Sequence, residues 1–251
     1  LFPDITYSFY DVWAELFRIP YKQMPLDENF RLKIDDYKGE NGGIVFPNPN
    51  APTGIYESLD HVEEIIKNNP DVIVIVDEAY IDFGGETALP LIDKYDNLVV
   101  VRTFSKSRSM AGLRIGYAIS NPELIKALND VKYSYNSYTM NRPSLVLGVE
   151  SIHDDAYFRE KVGQIIATRE RFVKEIAELG FTCLPSSANF VFATHESIPA
   201  KEIFAAAKEN NIYVRYFDKP RIDNYLRISI GTDAEMDVFV SFLSKYVKEY
   251  K

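Results

Sequence analysis

The sequence DVIVIVDEAY, residues 71–80, places an uninterrupted β-branched run directly before two carboxylates and a tyrosine. A second apolar run, NLVVVRTF at 97–104, is followed by the polar segment SKSRS. Continuous runs of this kind are typical of parallel strands that are buried on both faces of a sheet. Ligand sites of open α/β sheets lie beyond the carboxyl ends of such strands. Asp77 and Lys106, each just past a strand end, are therefore predicted to line one site.

Strand and helix patterns alternate on both sides of these runs. GGIVF at 42–46 precedes a stretch with helical spacing at 57–69, and LRIGYAIS at 113–120 precedes a helix expected at 121–131. This alternation predicts a doubly wound α/β architecture, in which a mostly parallel sheet is flanked by helices.

The pattern changes after about residue 145. A long helical stretch at 156–180 is followed by three short strands at 189–194, 212–217 and 225–231, with helices between them. We therefore predict a large α/β domain at 1–145 and a smaller α+β domain at 146–251, which includes the long helix.

Composition limits the kind of partner. The 251 residues carry a formal net charge of −9, which leaves no broad basic surface for nucleic acid, so small molecules are the expected ligands. The single cysteine, Cys183, excludes an internal disulfide and fits a cytoplasmic protein. The apolar runs are too short to span a membrane. Because the chain opens at Leu1 on a sequence typical of a domain interior, we expect an N-terminal part to be missing.

Most polar residues also allow simpler interpretations. A lone lysine such as Lys106 is usually a solvated surface charge, and an aspartate after a strand, such as Asp77, is often a helix cap or a turn residue. The three histidines lie in no motif, and no spacing suggests a metal site.

Five short motifs together are more specific than any one of them. They are NPNAPTG at 48–54, DEAY at 77–80, SK at 105–106, AGLRIG at 111–116 and NYLRISIG at 224–231. In order and approximate spacing they resemble the fold-type I aminotransferases that use pyridoxal 5'-phosphate, and most closely the histidinol-phosphate aminotransferases. The resemblance covers essentially the whole chain. It implies a large domain with a mostly parallel sheet, a small C-terminal α+β domain, and transfer of an amino group from histidinol phosphate to 2-oxoglutarate.

The resemblance implies two central catalytic roles. Lys106 would hold the cofactor as a Schiff base and later move a proton as general base and acid. Asp77 would pair with the pyridinium nitrogen and keep it protonated.

The resemblance implies further contacts to the cofactor. Tyr80 would donate to its phenolic oxygen, Tyr7 would stack on its ring, and Ser105 and Arg114 would bind its phosphate. Packing at a strand end is the alternative for Tyr80, and a place in the core is the alternative for Tyr7.

One position departs from the family pattern. Asparagine usually stands directly before PTG and contacts the phenolic oxygen, whereas this chain has Ala51 there and Asn50 before it. Either Asn50 replaces the contact, or Tyr80 carries it alone. A third possibility is that Asn50 only shapes the proline-rich turn.

The predicted substrate residues lie in the second domain. Arg227 resembles the arginine that takes a substrate carboxylate or phosphate, and Arg215 would favour a phosphate dianion. Asn189 is a further candidate for a substrate contact. The alternatives are a surface ion pair for Arg227 and a turn role for Asn189.

Other functions remain open at this stage. An aromatic amino acid aminotransferase or a phosphothreonine decarboxylase would share the scaffold, and a non-catalytic domain that binds pyridoxal phosphate would belong to a regulator. The resemblance also implies a homodimer, in which the partner chain completes each site.

Overall fold

The computed structural model describes residues 1–250; Lys251, the last residue of the predicted second domain, lies outside them. The secondary structure comprises ten strands and seven helices over these residues. The strands are β1 Phe2–Pro3, β2 Gln23–Met24, β3 Ile44–Pro47, β4 Val74–Asp77, β5 Leu98–Thr103, β6 Gly116–Ile119, β7 Phe181–Cys183, β8 Phe190–His195, β9 Arg215–Tyr216 and β10 Leu226–Ser229. The helices are α1 Tyr10–Leu16, α2 Leu59–Lys67, α3 Pro122–Tyr135, α4 Arg142–His153, α5 Asp155–Ala177, α6 Ala200–Glu209 and α7 Asp233–Glu249.

The first large sheet has the strand order β3-β4-β5-β6. β3, β4 and β5 run parallel, and β6 is antiparallel to β5. In this register Asp77 lies opposite Val101, so the carboxyl ends of β4 and β5 meet at the same edge of the sheet. The predicted mostly parallel sheet with flanking helices is confirmed.

One face of this sheet is a packed core. The side chains of Val74 and Val76 are fully buried, and α2 lies against them through Val62 and Ile66. The helix begins where the Ser58 hydroxyl accepts a hydrogen bond from a backbone N–H in the first turn.

The other face differs from the prediction that both faces are buried. Ile73 is 41% exposed, and Ile75 and Asp77 line a groove of about 720 Å³ together with Tyr10 and Trp13 of α1. Because successive strand residues alternate between faces, Asp77 lies on the groove side and not on the α2 side.

The second large sheet is antiparallel, with the strand order β7-β8-β10-β9. Its core includes Phe172 and Ile176 of the long helix α5 and Phe239 and Leu243 of α7. A smaller cluster that includes Tyr80, Phe83, Ala188 and Phe190 joins the two halves of the chain. The predicted boundary at residues 145 and 146 falls inside α4 and stays a prediction.

Two predicted strands are shorter than expected. The segment at 113–120 forms β6 only from Gly116, because residues 111–113 make a 3-10 turn. The segment at 212–217 is paired only at Arg215–Tyr216. No helix within residues 1–250 has the length and apolar character needed to cross a bilayer.

Candidate active site

Asp77 ends β4 on the groove side of the first sheet. Its Oδ2 accepts a hydrogen bond of 3.0 Å from the Tyr10 hydroxyl, and its Oδ1 accepts one of 3.1 Å from the Ala79 N–H. Burial raises the pKa of the Asp77 carboxyl, while these two donors and the charge of Lys106 act in the opposite direction. A cation placed against this carboxylate would favour its ionised form.

Lys106 lies in the loop that follows β5. The loop turns at Thr103, whose Oγ1 accepts the Ser105 N–H at 3.1 Å and donates to the Ser105 hydroxyl at 2.9 Å. The Lys106 amine lies 5.3 Å from the centre of the Tyr80 ring. Among residues 1–250 it has no carboxylate within ion-pair distance, so the amine is available to a ligand.

Two aromatic rings, Tyr80 and Phe190, connect Lys106 to Arg227, and we call this pair the aromatic row. The two rings meet edge to face, with centroids 5.1 Å apart and an interplanar angle of 87°. The Arg227 guanidinium lies 5.2 Å from the Phe190 ring centre. The row therefore lies between the Lys106 amine and the Arg227 guanidinium.

Arg227 and Arg215 lie directly opposite each other on β10 and β9. Like charges in this position destabilise a sheet, and neither arginine forms an ion pair with any residue at 1–250. The Arg227 Nε is buried without a hydrogen-bond partner. Burial lowers the pKa of Arg227, and the charge of Arg215 acts in the same direction. An anion bound between the two guanidinium groups would offset their repulsion, accept a hydrogen bond from the buried Nε and favour the charged form of Arg227.

Asn189 immediately precedes β8 and the aromatic row. Its carbonyl accepts the Ile230 N–H at 2.9 Å, which fixes the backbone beside β10. The side-chain amide makes no hydrogen bond to the described part of the chain. The register pairs Arg227 with Phe192, three residues beyond Asn189, and the predicted substrate contact of Asn189 stays a prediction.

The Tyr10 side chain lies between Tyr7 and Asp77. Its ring, 42% exposed, packs against Phe9 and meets Tyr10 edge to face, with a centroid distance of 5.7 Å for each pair. Since the Tyr10 hydroxyl binds Asp77, the Tyr10 ring connects Tyr7 to the carboxylate, and much of the Tyr7 surface is free. This placement agrees with a stacking role, which stays a prediction.

Asn50 makes contacts that support a structural role. Its Nδ2 donates to the Ile5 carbonyl and to the Thr53 hydroxyl, both at 3.0 Å, while its Oδ1 is buried without a partner. The first contact ties the NPNAPTG loop to the segment that carries Tyr7. Ala51 is buried in the cluster with Tyr80, so it leaves a nonpolar surface where the family has an amide.

Ser105 and Arg114 are not joined to each other. Arg114 is exposed, has a φ of +56°, and donates from Nη1 to the Ala111 carbonyl at 2.9 Å. The left-handed backbone is unfavourable for an arginine, and strain of this kind is concentrated at functional sites. The predicted phosphate contacts of these two residues stay predictions.

Tyr10 is a site residue that the sequence analysis missed. No local pattern indicated it, because Tyr7 precedes α1 and Tyr10 is the first residue of this helix. The hydrogen-bond partner could not be foreseen, since Asp77 is 67 positions away in sequence. No cluster of His, Cys, Asp or Glu in the described chain is suited to a metal ion.

Comparison with known proteins shows the family of this chain. The family model described as aminotransferase class I and II matches residues 1–243. The histidinol-phosphate aminotransferase of Lactococcus lactis subsp. cremoris is 52% identical over 248 residues, which cover 99% of this chain and 70% of the relative.

Two solved structures share the fold. The histidinol-phosphate aminotransferase of Clostridium acetobutylicum has a TM-score of 0.90 at 24% identity and covers 97% of this chain and 76% of its own. The enzyme of the same name from Sinorhizobium meliloti, solved in complex with pyridoxal-5'-phosphate, has a TM-score of 0.89 at 23% identity. The match covers 100% of this chain and 70% of that one.

The aminotransferase class I and II model spans nearly the whole chain, and the relative from Lactococcus lactis is 52% identical over 99% of it. This chain belongs to the class I and II aminotransferases.

Proposed function

We propose that this chain is a histidinol-phosphate aminotransferase that uses pyridoxal 5'-phosphate and 2-oxoglutarate and forms imidazole acetol phosphate and glutamate. The observation that carries the substrate assignment is the pair Arg215 and Arg227, which lie opposite each other without a carboxylate partner in residues 1–250. A phosphate dianion suits two guanidinium groups better than a singly charged carboxylate does.

The residues present fit pyridoxal phosphate. The Asp77 carboxylate is half-buried, has a pKa raised by desolvation and lacks a cationic partner in contact, so a protonated ring nitrogen would stabilise its charge. The Lys106 amine has no ion-pair partner in the described chain and lies over Tyr80, on the side of the site that leads to Arg227. An aldehyde cofactor with a basic ring nitrogen needs this donor set.

When bound, the cofactor supplies an electron sink for the carbanion at the substrate Cα. Lys106 would hold the cofactor through its amine. Once free, that amine would act as the base for the proton on the substrate Cα and as the acid that returns it. Asp77 holds the proton on the ring nitrogen, and Tyr80 presents its hydroxyl to the phenolic oxygen.

The arginine pair orients the substrate from the opposite side. Arg227 and Arg215 bind the phosphate, Asn189 contacts the substrate beside them, and the aromatic row keeps the bound molecule at a fixed distance from Lys106. Tyr7 covers the cofactor ring, and Ser105 and Arg114 bind its phosphate. Either Asn50 reaches the phenolic oxygen, or Tyr80 makes that contact alone.

The Arg215→Ala variant tests the substrate assignment. A charge-assisted hydrogen bond contributes about 1.5 to 3 kcal/mol, so kcat/KM for histidinol phosphate should fall by about one to two powers of ten. Phenylalanine, which carries no phosphate, should lose much less. The measurement is the ratio of the two kcat/KM values in each variant, with Arg159→Ala on the exposed side of α5 as control.

Equal losses on both substrates would contradict the phosphate assignment. The aromatic amino acid aminotransferase would then be the better proposal. Formation of carbon dioxide from phosphothreonine would favour the decarboxylase.

Tyr10→Phe tests the environment of Asp77. The Tyr10 donor stabilises the ionised carboxylate and lowers its pKa, so its removal should raise the pKa of Asp77 further. Because only the ionised form can hold the ring nitrogen proton, turnover should be lost at a higher pH than in the wild type as pH falls. The measurement is kcat against pH in the two proteins.

The control for this variant is Tyr21→Phe, since Tyr21 also lines the groove but binds Glu15 instead of Asp77. If the loss at low pH occurs at the same pH in the wild type and in Tyr10→Phe, the hydrogen bond does not change the pKa of Asp77.

We also propose that the chain has two domains, at 1–145 and 146–251. Finally, we propose that the protein is a homodimer in the cytoplasm, in which the partner chain completes each site. α3 buries none of its side chains, and α4 buries only Ser144 and Gly148. The large exposed apolar residues of these helices are Leu128, Val131, Tyr133, Tyr135, Leu145, Val146, Leu147, Val149 and Ile152. Exposed apolar surface of this extent supports contact with a second copy.

A further inference from the structure

Arg169, on the buried side of α5, contacts both halves of the chain. Its Nη1 donates to the Phe83 carbonyl at 2.9 Å and to the Ala188 carbonyl at 2.8 Å. The side chain is 6% exposed. A single nitrogen atom therefore holds together two backbone segments that are far apart in sequence.

The rest of the guanidinium is neutralised from the solvent side. Nε and Nη2 both donate to Oε1 of Glu170, at 3.2 and 3.0 Å, and that carboxylate is 59% exposed. A buried charge is costly unless it is paired and hydrogen-bonded. Arg169 meets both conditions, so its position is well determined and its removal would leave two buried carbonyls without this donor.

The two carbonyls lie next to the aromatic row. Phe83 ends the 3-10 turn that directly follows Tyr80, and Ala188 stands two residues before Phe190. Arg169 thus fixes the backbone on both sides of the contact between the two rings. Through the row, it acts on the distance between the Lys106 amine and the Arg227 guanidinium.

We propose that Arg169 is a positioning residue that sets the separation between Lys106 and the arginine pair. It touches neither cofactor nor substrate. The inference rests on the proposed function, because the arginine pair matters only if it holds the substrate.

The test is Arg169→Met, which keeps a long side chain but removes the two carbonyl hydrogen bonds. Misplacement of reacting groups by about 1 Å costs up to about 100-fold, so kcat/KM for histidinol phosphate should fall about 10- to 100-fold. The cofactor dissociation constant should change far less than kcat/KM, because Lys106 and Asp77 hold the cofactor and Arg169 contacts neither of them. A merely structural role would weaken cofactor and substrate binding together.

The matched control is Arg171→Met, two residues further along α5. Arg171 pairs with Glu175, Asp233 and Asp237 and lies away from the aromatic row. This variant should lose stability without a selective loss of substrate turnover. If Arg169→Met loses no more kcat/KM than Arg171→Met, or if its cofactor affinity falls in parallel, the positioning role is wrong.

Two further measurements separate the possible failures. If Arg169→Met does not fold, Arg169→Lys keeps the charge but lacks the planar fork. It should lose kcat/KM selectively, and wild-type constants in a folded Arg169→Lys variant would overturn the proposal. If the wild type does not turn over histidinol phosphate, the proposed substrate is wrong. The comparison of Arg169 and Arg171 variants is then made with glutamate, whose carboxylate Arg227 alone would bind.

Discussion

Replacement of Lys106 by alanine is expected to abolish covalent attachment of pyridoxal phosphate and to lower kcat by about 10⁴-fold, the upper range for loss of a general acid–base group. The structure gives the reason: the Lys106 amine lies over Tyr80 with no carboxylate partner in residues 1–250. Borohydride reduction followed by mass spectrometry measures the attachment directly. The wild type should retain the mass of the cofactor after dialysis, and Lys106→Ala should not.

Lys94→Ala is the control for this experiment, because Lys94 is exposed and forms only a long ion pair of 3.8 Å with Glu63. It should keep both the adduct and the turnover. A Lys106→Ala variant that retains the reduced adduct, or that keeps turnover within about tenfold of the wild type, would remove Lys106 from its assigned role.

The parts of the fold that the sequence predicts well are those determined by local pattern. The β-branched run before Asp77 forms β4, and Asn121 caps α3 by accepting the Leu124 N–H at 3.0 Å, as its position before Pro122 predicts. The shortened strands depend on backbone geometry that no pattern specifies. Arg114 turns into the left-handed region, and this turn delays β6 until Gly116.

The residues of the candidate site also differ in whether local sequence pattern predicts them. The rule that ligands bind at the carboxyl ends of parallel strands places Asp77 and Lys106 together from sequence alone. The pairing of Arg215 with Arg227 depends on strand register, which the long connection at 217–225 does not reveal. Tyr10 and Arg169 act through contacts between distant segments. Such contacts follow from tertiary packing and leave no local sequence signal.

The carboxylate of Asp77 is the second residue with a large expected effect. Asp77→Asn keeps the size of the side chain and can still accept the hydrogen bond from Tyr10, but it carries no negative charge. Loss of one preorganised electrostatic partner costs about 100- to 1000-fold in kcat, and we expect a loss of this size while the cofactor remains bound. Bound cofactor is measured after gel filtration, and kcat is measured in the same preparation.

The pH dependence separates this charge effect from a loss of structure. In the wild type, activity should fall as the pH drops through the pKa of Asp77; burial raises this pKa, and the bound ring-nitrogen cation would lower it. Asp77→Asn has no carboxyl to protonate, so its residual activity should lack that acid limb. Asp71→Asn, at the exposed entry to β4, is the control and should keep both the rate and the limb. Near-normal turnover in Asp77→Asn, or an unchanged acid limb, would mean that another group holds the proton on the ring nitrogen.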